Sequence, residues 1–271
     1  MHAQLQIDSI DTSECIAGFQ AGRYEVRFAC TESEIAAAQA LRYKTLFLES
    51  GGTISPEMAQ SGREADELDA IAHHVIVLDN KQLNSPVVGT LRLVSYERLQ
   101  QEQCFYTEKA FDISGLRNQY KKLLELSRFC IDANGRSGSI LMLIWKFTLQ
   151  FIVARRFDVM IGCASFHGTD VNSHQAILSY LYRHNLAPVD LQPRPIVDSY
   201  VAIDSLLEHE ADWDDAKHSV PTLLRGYLKM GAKISDCAII DPVFNTTFVC
   251  IYVDAEHMIL DNHRLSRPQH G

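Results

Sequence analysis

The segment 125–138, ELSRFCIDANGRSG, starts as an apolar strand and ends as a polar loop. A carboxylate, Glu125, and a guanidinium, Arg128, stand in its apolar part, where a charge is costly unless it is paired. Arg92, inside GTLRLV, is a second cation in an apolar strand, and EADELD at 64–69 supplies Glu64, Asp66 and Asp69. Such residues can build an arginine–carboxylate network beside a pocket for a cationic substrate. A plainer reading exists for each: a solvated acidic loop at 64–69, and fold-bracing ion pairs for Arg42, Arg92 and Arg128. Glu125 and Arg128 lie three apart on a strand, so they face opposite sides.

The loop that follows, NGRSGS, sits between a strand and an apolar helix. Backbone N–H groups and the positive end of a helix suit a phosphate there. Gly135 and Gly138 allow close approach, Ser137 or Ser139 can cap, and Arg136 adds charge. An ordinary polar helix cap accounts for the same residues. His73 and His74 are neighbours on a strand and face opposite ways, and His167 and His174 lack zinc-site partners, so no metal centre is expected. Ser127 has no His–Asp set around it, which argues against a serine nucleophile.

These residues need a scaffold. The chain has 271 residues, 46% of them hydrophobic and 22% charged, enough for a large core. Its net charge of -9 argues against generic nucleic-acid binding, although a local basic patch can still dock an acidic partner. The seven cysteines are scattered without a Cys-x-x-Cys pair and read as reduced thiols. The first residues have no basic and apolar signal pattern, and the apolar stretch 140–154 is shorter than a bilayer span. The reading is a cytoplasmic protein with room for peripheral contact at the inner membrane.

Residues 1–22 read as a loose arm and 24–29 as a strand. Thr31 with Glu34 predicts a capped helix over the alanine-rich run that follows. Residues 51–70 read as a polar connection. Strands are expected at 73–79, 87–97 and 120–132, with weak helicity at 101–118. The apolar helix is placed at 139–157 and a strand at 158–166. Residues 172–185 read as a helix capped by Asn172 or Ser173. A helix at 221–232 and strand-like runs at 233–240 and 246–253 complete the chain. This order implies an α/β fold, a mixed central sheet flanked by helices. The domain reading is an arm to 22, a core over 23–190, an extension over 191–260 packed on that core, and a tail over 261–271.

The ordered set RYKTLF (42–47), EADELD, GTLRLV (89–94) and ELSRF resembles the motifs of acyl-homoserine-lactone synthases and ornithine-lipid-forming N-acyltransferases, both within the GNAT superfamily. DELDAIAHHVIVLD, with His74 in the histidine position, is similar to the ornithine-lipid branch. So is the ending LLRGYLKMGAKISDCAIIDPVFNTTFVCIYV. The resemblance covers residues 24–260 and implies a GNAT-like fold. It implies transfer of a long acyl chain, often 3-hydroxylated, to the α-amine of an amino acid. With ornithine the product is the lyso precursor of ornithine lipid. The loop Arg136–Ser139 departs from the full Q/R-x-x-G-x-G/A pattern of acetyl-CoA enzymes, which fits an acyl carrier protein as donor.

The implied roles are as follows. Glu64 or Glu125 acts as base, directly or through water, Glu64, Asp66 and Asp69 hold ammonium groups, and Arg92 and Arg128 pair with carboxylates or grip the substrate carboxylate. Arg42, Phe47 and His74 belong to the substrate side, His74 being more a structural histidine than a proton relay. Backbone N–H groups of Phe129, Cys130 and Ile131 polarise the thioester. Arg136, Ser137, Gly138 and Ser139 hold the pantetheine phosphate, and Arg155 and Arg156 dock the acidic carrier. No cofactor is implied beyond the acyl-phosphopantetheine donor. Two alternatives stay open within the fold: a synthase that acylates another amino acid or S-adenosylmethionine, and a binding module for carrier protein or lipid without turnover.

Overall fold

The computed structural model describes residues 16–135, 138–207, 217 and 219–256. The chain divides into two compact units. The first comprises residues up to Thr45, Ser55–Val94 and Arg128–Arg155, and the second comprises Leu46–Ile54, Ser95–Ser127 and the chain from Arg156.

The first unit holds β1 (Phe19–Ala21), β2 (Tyr24–Phe28), β3 (His73–Asp79) and β4 (Val87–Ser95), antiparallel in that order. β3 is buried along its whole length because helices cover both of its faces. On one side α1 (Glu32–Tyr43) packs Ala38 and Ile35 against Ile76 and Leu78. On the other lies α4 (Gly138–Arg155), whose Phe147 and Phe151 meet Phe28 edge-on at 4.8 and 5.1 Å, with His73 5.3 Å from Phe151. These contacts fix the two histidines: His73 is an aromatic packing residue on the α4 side, leaving His74 for the α1 side. Gly89 lets α4 come close, since a Cβ there would stand 2.7 Å from Ile140 Cγ2.

The α1 cap forms as expected at Thr31, whose side chain accepts from Glu34 N–H. Glu34 closes the box one residue early, on Cys30 N–H, and pairs with Arg27. Several expectations need correction. Phe19–Ala21, placed in the arm, is strand β1, because it finds the free edge of β2; residues 1–15 and 261–271 lie outside the described residues. The connection 51–70 contains α2 (Pro56–Ser61), capped by Ser55, and a 3-10 turn Glu67–Ala70.

The second unit contains β6 (Leu123–Ile131) up to Ser127, β7 (Val159–His167), β9 (Tyr200–Ala202), β11 (Cys237–Asp241) and β12 (Thr246–Asp254). Their order is β6-β7-β12-β11-β9, with β10 (Lys233–Ile234) on β12 and a separate pair of β5 (Phe111–Asp112) with β8 (Arg194–Pro195). β6 and β7 are parallel and the others antiparallel, so the sheet is mixed as expected. β12 pairs with β7 over nine residues, from Thr246↔His167 to Asp254↔Val159. The weakly helical 101–118 resolves into a 3-10 turn Thr107–Lys109, β5 and α3 (Ser114–Gln119). The helix expected from 172 is α5 (Gln175–Asn185). A 3-10 turn capped by Asp170 precedes it, so neither Asn172 nor Ser173 caps it. α6 spans Thr222–Lys229.

The parallel register of β6 and β7 depends on Gly162. A Cβ there would lie 2.5 Å from the Leu126 carbonyl oxygen, and backbone cannot swing aside as a side chain can. Gly162→Ala should therefore lower the unfolding free energy by about 1–3 kcal/mol, read from urea denaturation. A stability equal to that of the parent chain would show that this strand pair tolerates a spread the register does not suggest.

Candidate active site

The first unit brings together Arg42, Glu64, Asp66, Asp69, His74, Arg92 and Arg128. α1 carries Arg42 at its buried end, the 3-10 turn and its approach carry the carboxylates, and His74 and Arg92 are cross-strand partners on β3 and β4. Arg42 and Arg92 are fully buried among the core side chains. Arg42 donates through Nη1 and Nη2 to both oxygens of Asp69, at 2.8 and 3.0 Å, and through Nε to Glu64 Oε2. Arg92 Nη1 reaches Asp66 Oδ1 and Asp69 Oδ1, the latter at 3.0 Å. Arg128 Nε donates to Glu64 Oε1 at 2.9 Å, and its Nη2 to Asp66 Oδ2 at 3.1 Å. Three carboxylates thus face three guanidiniums, which makes burial of all six tolerable.

The three acids are not equivalent. Asp69 receives Gln39 Nε2 at 3.0 Å and Asp66 N–H at 3.3 Å besides the arginine donors. Two carboxylate oxygens offer about four acceptor sites, so Asp69 is saturated and has no place for a substrate ammonium. Asp69, expected to hold a substrate ammonium, is occupied in the structure by arginine, Gln39 and backbone donors and organises the arginines. Asp66 accepts Leu68 N–H on Oδ1 beside Arg92, but Arg128 alone on Oδ2, and its side chain is 15% exposed. Among the three acids it is the most open to a ligand.

Electrostatics follow from this arrangement. Burial alone would raise Asp69 and Asp66, but Arg42 and Arg92 on the first, and Arg92 and Arg128 on the second, hold both below the usual carboxylate range. Burial likewise disfavours the Arg42 cation, and Glu64 and Asp69 more than restore it. His74 is pushed below the ordinary histidine value by burial. The Asp69 charge opposes the shift, and Arg42 and Arg92 add to it. Its Nε2 lies 3.1 Å from the Asp69 carbonyl oxygen, so a neutral ring donates there from Nε2–H.

A pH dependence results. His74 has a lowered pKa in the folded chain, so below about 6.5 the unfolded chain binds a proton that the folded chain refuses. Stability should fall as the pH drops through the unfolded value near 6.5, with a slope of at most about 1.4 kcal/mol per pH unit for this group. His74→Gln should flatten that decline in urea titrations, and an unchanged slope would remove His74 as its source. The depressed Asp66 and Asp69 add stability that is complete above their ordinary pKa near 4 and lost at more acid pH.

Arg128 adopts a left-handed backbone, φ 57°, inside β6. For a residue with a Cβ this is worth about 1 kcal/mol of strain, held here by its two ion pairs. Phe129, Cys130 and Ile131 complete the strand beyond this kink. Cys130 is buried, and burial pushes its thiol up to about 12, so it is a core thiol.

Glu125 belongs to the second unit and has its own donors: Tyr106 N–H at 3.0 Å, Thr107 N–H at 2.7 Å and Thr107 Oγ1 at 2.8 Å. It is fully buried and anchors the 3-10 turn Thr107–Lys109. Phe47 also lies in the second unit, in a π-helical turn Lys44–Leu48. Its ring is 5.0 Å from Phe244, and Tyr106 is 6.2 Å from the same ring. Gln39 and Thr107 went unnoticed in the sequence. Gln39 stands one turn before Arg42 on α1, a spacing that offers a weak clue; nothing local singles out Thr107.

Gly138 and Ser139 open α4, while Arg136 and Ser137 lie outside the described residues. Arg155 ends α4 half-buried, and Arg156 follows it exposed, with φ 54°. Among the described residues no group of three His, Cys, Asp or Glu side chains is placed to hold a metal ion.

A family model described as acetyltransferase (GNAT) domain matches residues 41–146. The chain is 33% identical over 245 residues to the L-ornithine N(α)-acyltransferase of Rhodobacter capsulatus, covering 89% of this chain and 93% of that protein. It is 34% identical to the enzyme of the same name from Brucella abortus, covering 88% and 86%. Among solved structures, FeeM, an N-acyl amino acid synthase from uncultured soil microbes, is similar at a TM-score of 0.44 and 13% identity, covering 89% of this chain and 98% of that one. The last likeness is too distant to carry function.

Proposed function

The chain belongs to the L-ornithine N(α)-acyltransferase family and is an acyltransferase, and we propose that it moves a long 3-hydroxyacyl chain from acyl carrier protein to the α-amine of L-ornithine. The observation that carries this reading is the similarity to enzymes of that name at 32–34% identity over 84–89% of this chain. The product is lyso-ornithine lipid.

The chemistry needs an amine freed of its proton, a polarised thioester carbonyl and donors for the tetrahedral oxyanion. In this reading Asp66, the most exposed of the three acids, receives an ammonium group of ornithine. Glu64 takes the α-ammonium proton, directly or through water, and the amine attacks the thioester carbon. The N–H groups of Phe129 to Ile131 hold the oxyanion, and its collapse expels the pantetheine thiolate, which takes up the second proton of the attacking nitrogen. Arg92 and Arg128 keep the acids in place, and the start of α4 at Gly138 and Ser139 receives the pantetheine phosphate. Arg155 and Arg156 meet the acidic carrier.

The test is a panel of acyl thioesters on carrier protein and on CoA against a panel of amino acids. Thiol release and product mass are the readouts. Turnover with ornithine and the carrier-bound donor is expected. A homoserine lactone from S-adenosylmethionine would replace this reading with the signal synthase, and no thiol release with any acceptor would leave a binding module. Docking adds a further expectation: turnover on the carrier-bound donor falls steeply as salt rises, because the Debye length shrinks from about 10 Å at 0.1 M to about 3 Å at 1 M. A flat salt response would remove Arg155 and Arg156 as the carrier contact.

A further inference from the structure

α4 departs from the rule for helices of water-soluble folds. Gly138–Arg155 has 18 residues, a mean hydropathy of 1.3 and no Asp or Glu, in a chain of net charge -9. By length and composition it could cross a membrane, so the 15-residue reading of 140–154 understated it. A helix apolar on all sides is normally enclosed by protein, yet 44% of α4 is buried. Its inner face is the Ile140, Ile144, Phe147, Phe151 and Ile152 row against β2 and β3. At 100° per residue the opposite arc holds Met142, Lys146, Leu149 and Val153. Met142 is 65% exposed and Val153 53%, and Leu149 is half-buried.

We propose that this outward stripe of α4 seats the enzyme on an anionic phospholipid bilayer. The inference rests on the acyltransferase reading only in that such a seat places a lipid-forming enzyme beside the phase its product enters. The geometry selects this occupant. Lys146 stands near the middle of the helix, its ammonium 4.8 Å over the Phe19 ring. In a two-fold antiparallel pairing of α4 with a second copy, the two Lys146 side chains would meet in an apolar seam. Against a bilayer the same lysine snorkels to a phosphate while Met142, Leu149 and Val153 enter the headgroup boundary. With no acid in α4, the helix itself does not repel anionic lipid.

Flotation of the full chain with phosphatidylglycerol-containing vesicles, against phosphatidylcholine alone, tests this at about 0.1 M salt. Binding to the anionic vesicles is expected. Met142→Glu with Val153→Glu should weaken it by about tenfold or more, and Lys146→Gln should bring it toward the neutral-vesicle level. Both variants should keep their melting temperature and their turnover on a soluble thioester. Flotation that is absent, or equal in parent and variants, overturns the proposal. So does a dimer on sizing that the double variant splits. Stripe-dependent flotation without ornithine acylation would leave the docking surface standing and remove only the activity assignment.

Discussion

Arg42→Ala should destabilise the protein by about 3–5 kcal/mol, the largest single-site loss expected in the first unit. The fully buried guanidinium serves Glu64 and both oxygens of Asp69. Removing it leaves two buried carboxylates with one positive partner fewer each, while Arg92 and Arg128 remain. The loss should therefore exceed that of an ordinary cavity of the same size. A neutral set, Arg42→Met with Glu64→Gln and Asp69→Asn, should cost less than the single change, since it removes charges as well as partners. Urea midpoints of the variants decide this. If the single variant keeps the parent stability, Arg42 is solvated in solution and the network does not hold this part of the fold.

Glu64→Gln should lower turnover by about 10²–10⁴, the usual contribution of a general base. The substitution keeps the shape and one acceptor oxygen but offers an amide to Arg42 or Arg128, so some stability goes with it, about 1–3 kcal/mol. Turnover must therefore be measured well below the variant's melting temperature. A base also shapes the acid limb of the pH–rate profile, and a brace does not, so the limb should vanish with Glu64→Gln. Glu125→Gln is the companion. Its carboxylate takes three donors from Tyr106 and Thr107, and an amide there must turn an N–H against one of them. It should lose stability while retaining the limb. Equal turnover in Glu64→Gln and the parent would remove Glu64 as base; loss of the limb with Glu125→Gln would transfer the role.

The two changes probe opposite sides of one design. Asp69 gathers Arg42, Arg92, Gln39 and the Asp66 N–H, so it presets the geometry of the others. In the proposed reading Asp66 and Glu64 are what remain for a substrate. Three arginines against three acids leave no net charge with His74 neutral, so an incoming ammonium would there be recognised by placement and hydrogen bonding more than by bulk field.

Much of this was legible in the chain. Charges inside the apolar strands of Arg92 and Glu125 require buried partners, and the acidic run at 64–69 was the available source for Arg92. The strand and helix order followed from apolar periodicity and from caps such as Thr31, and the opposed packing of His73 and His74 from their adjacency. These are properties of neighbours along the chain, set by backbone geometry. Only the tertiary structure could separate Asp66 from Asp69, because saturation depends on donors from α1, β4 and the turn meeting at one point. It alone paired Glu125 with Thr107, which stands 18 residues away with no local signal. It alone showed that α4, apolar in sequence like any core helix, keeps part of its apolar surface outside. Composition tells what a side chain would avoid; which neighbours arrive to satisfy or neglect it is decided by contacts distant in sequence.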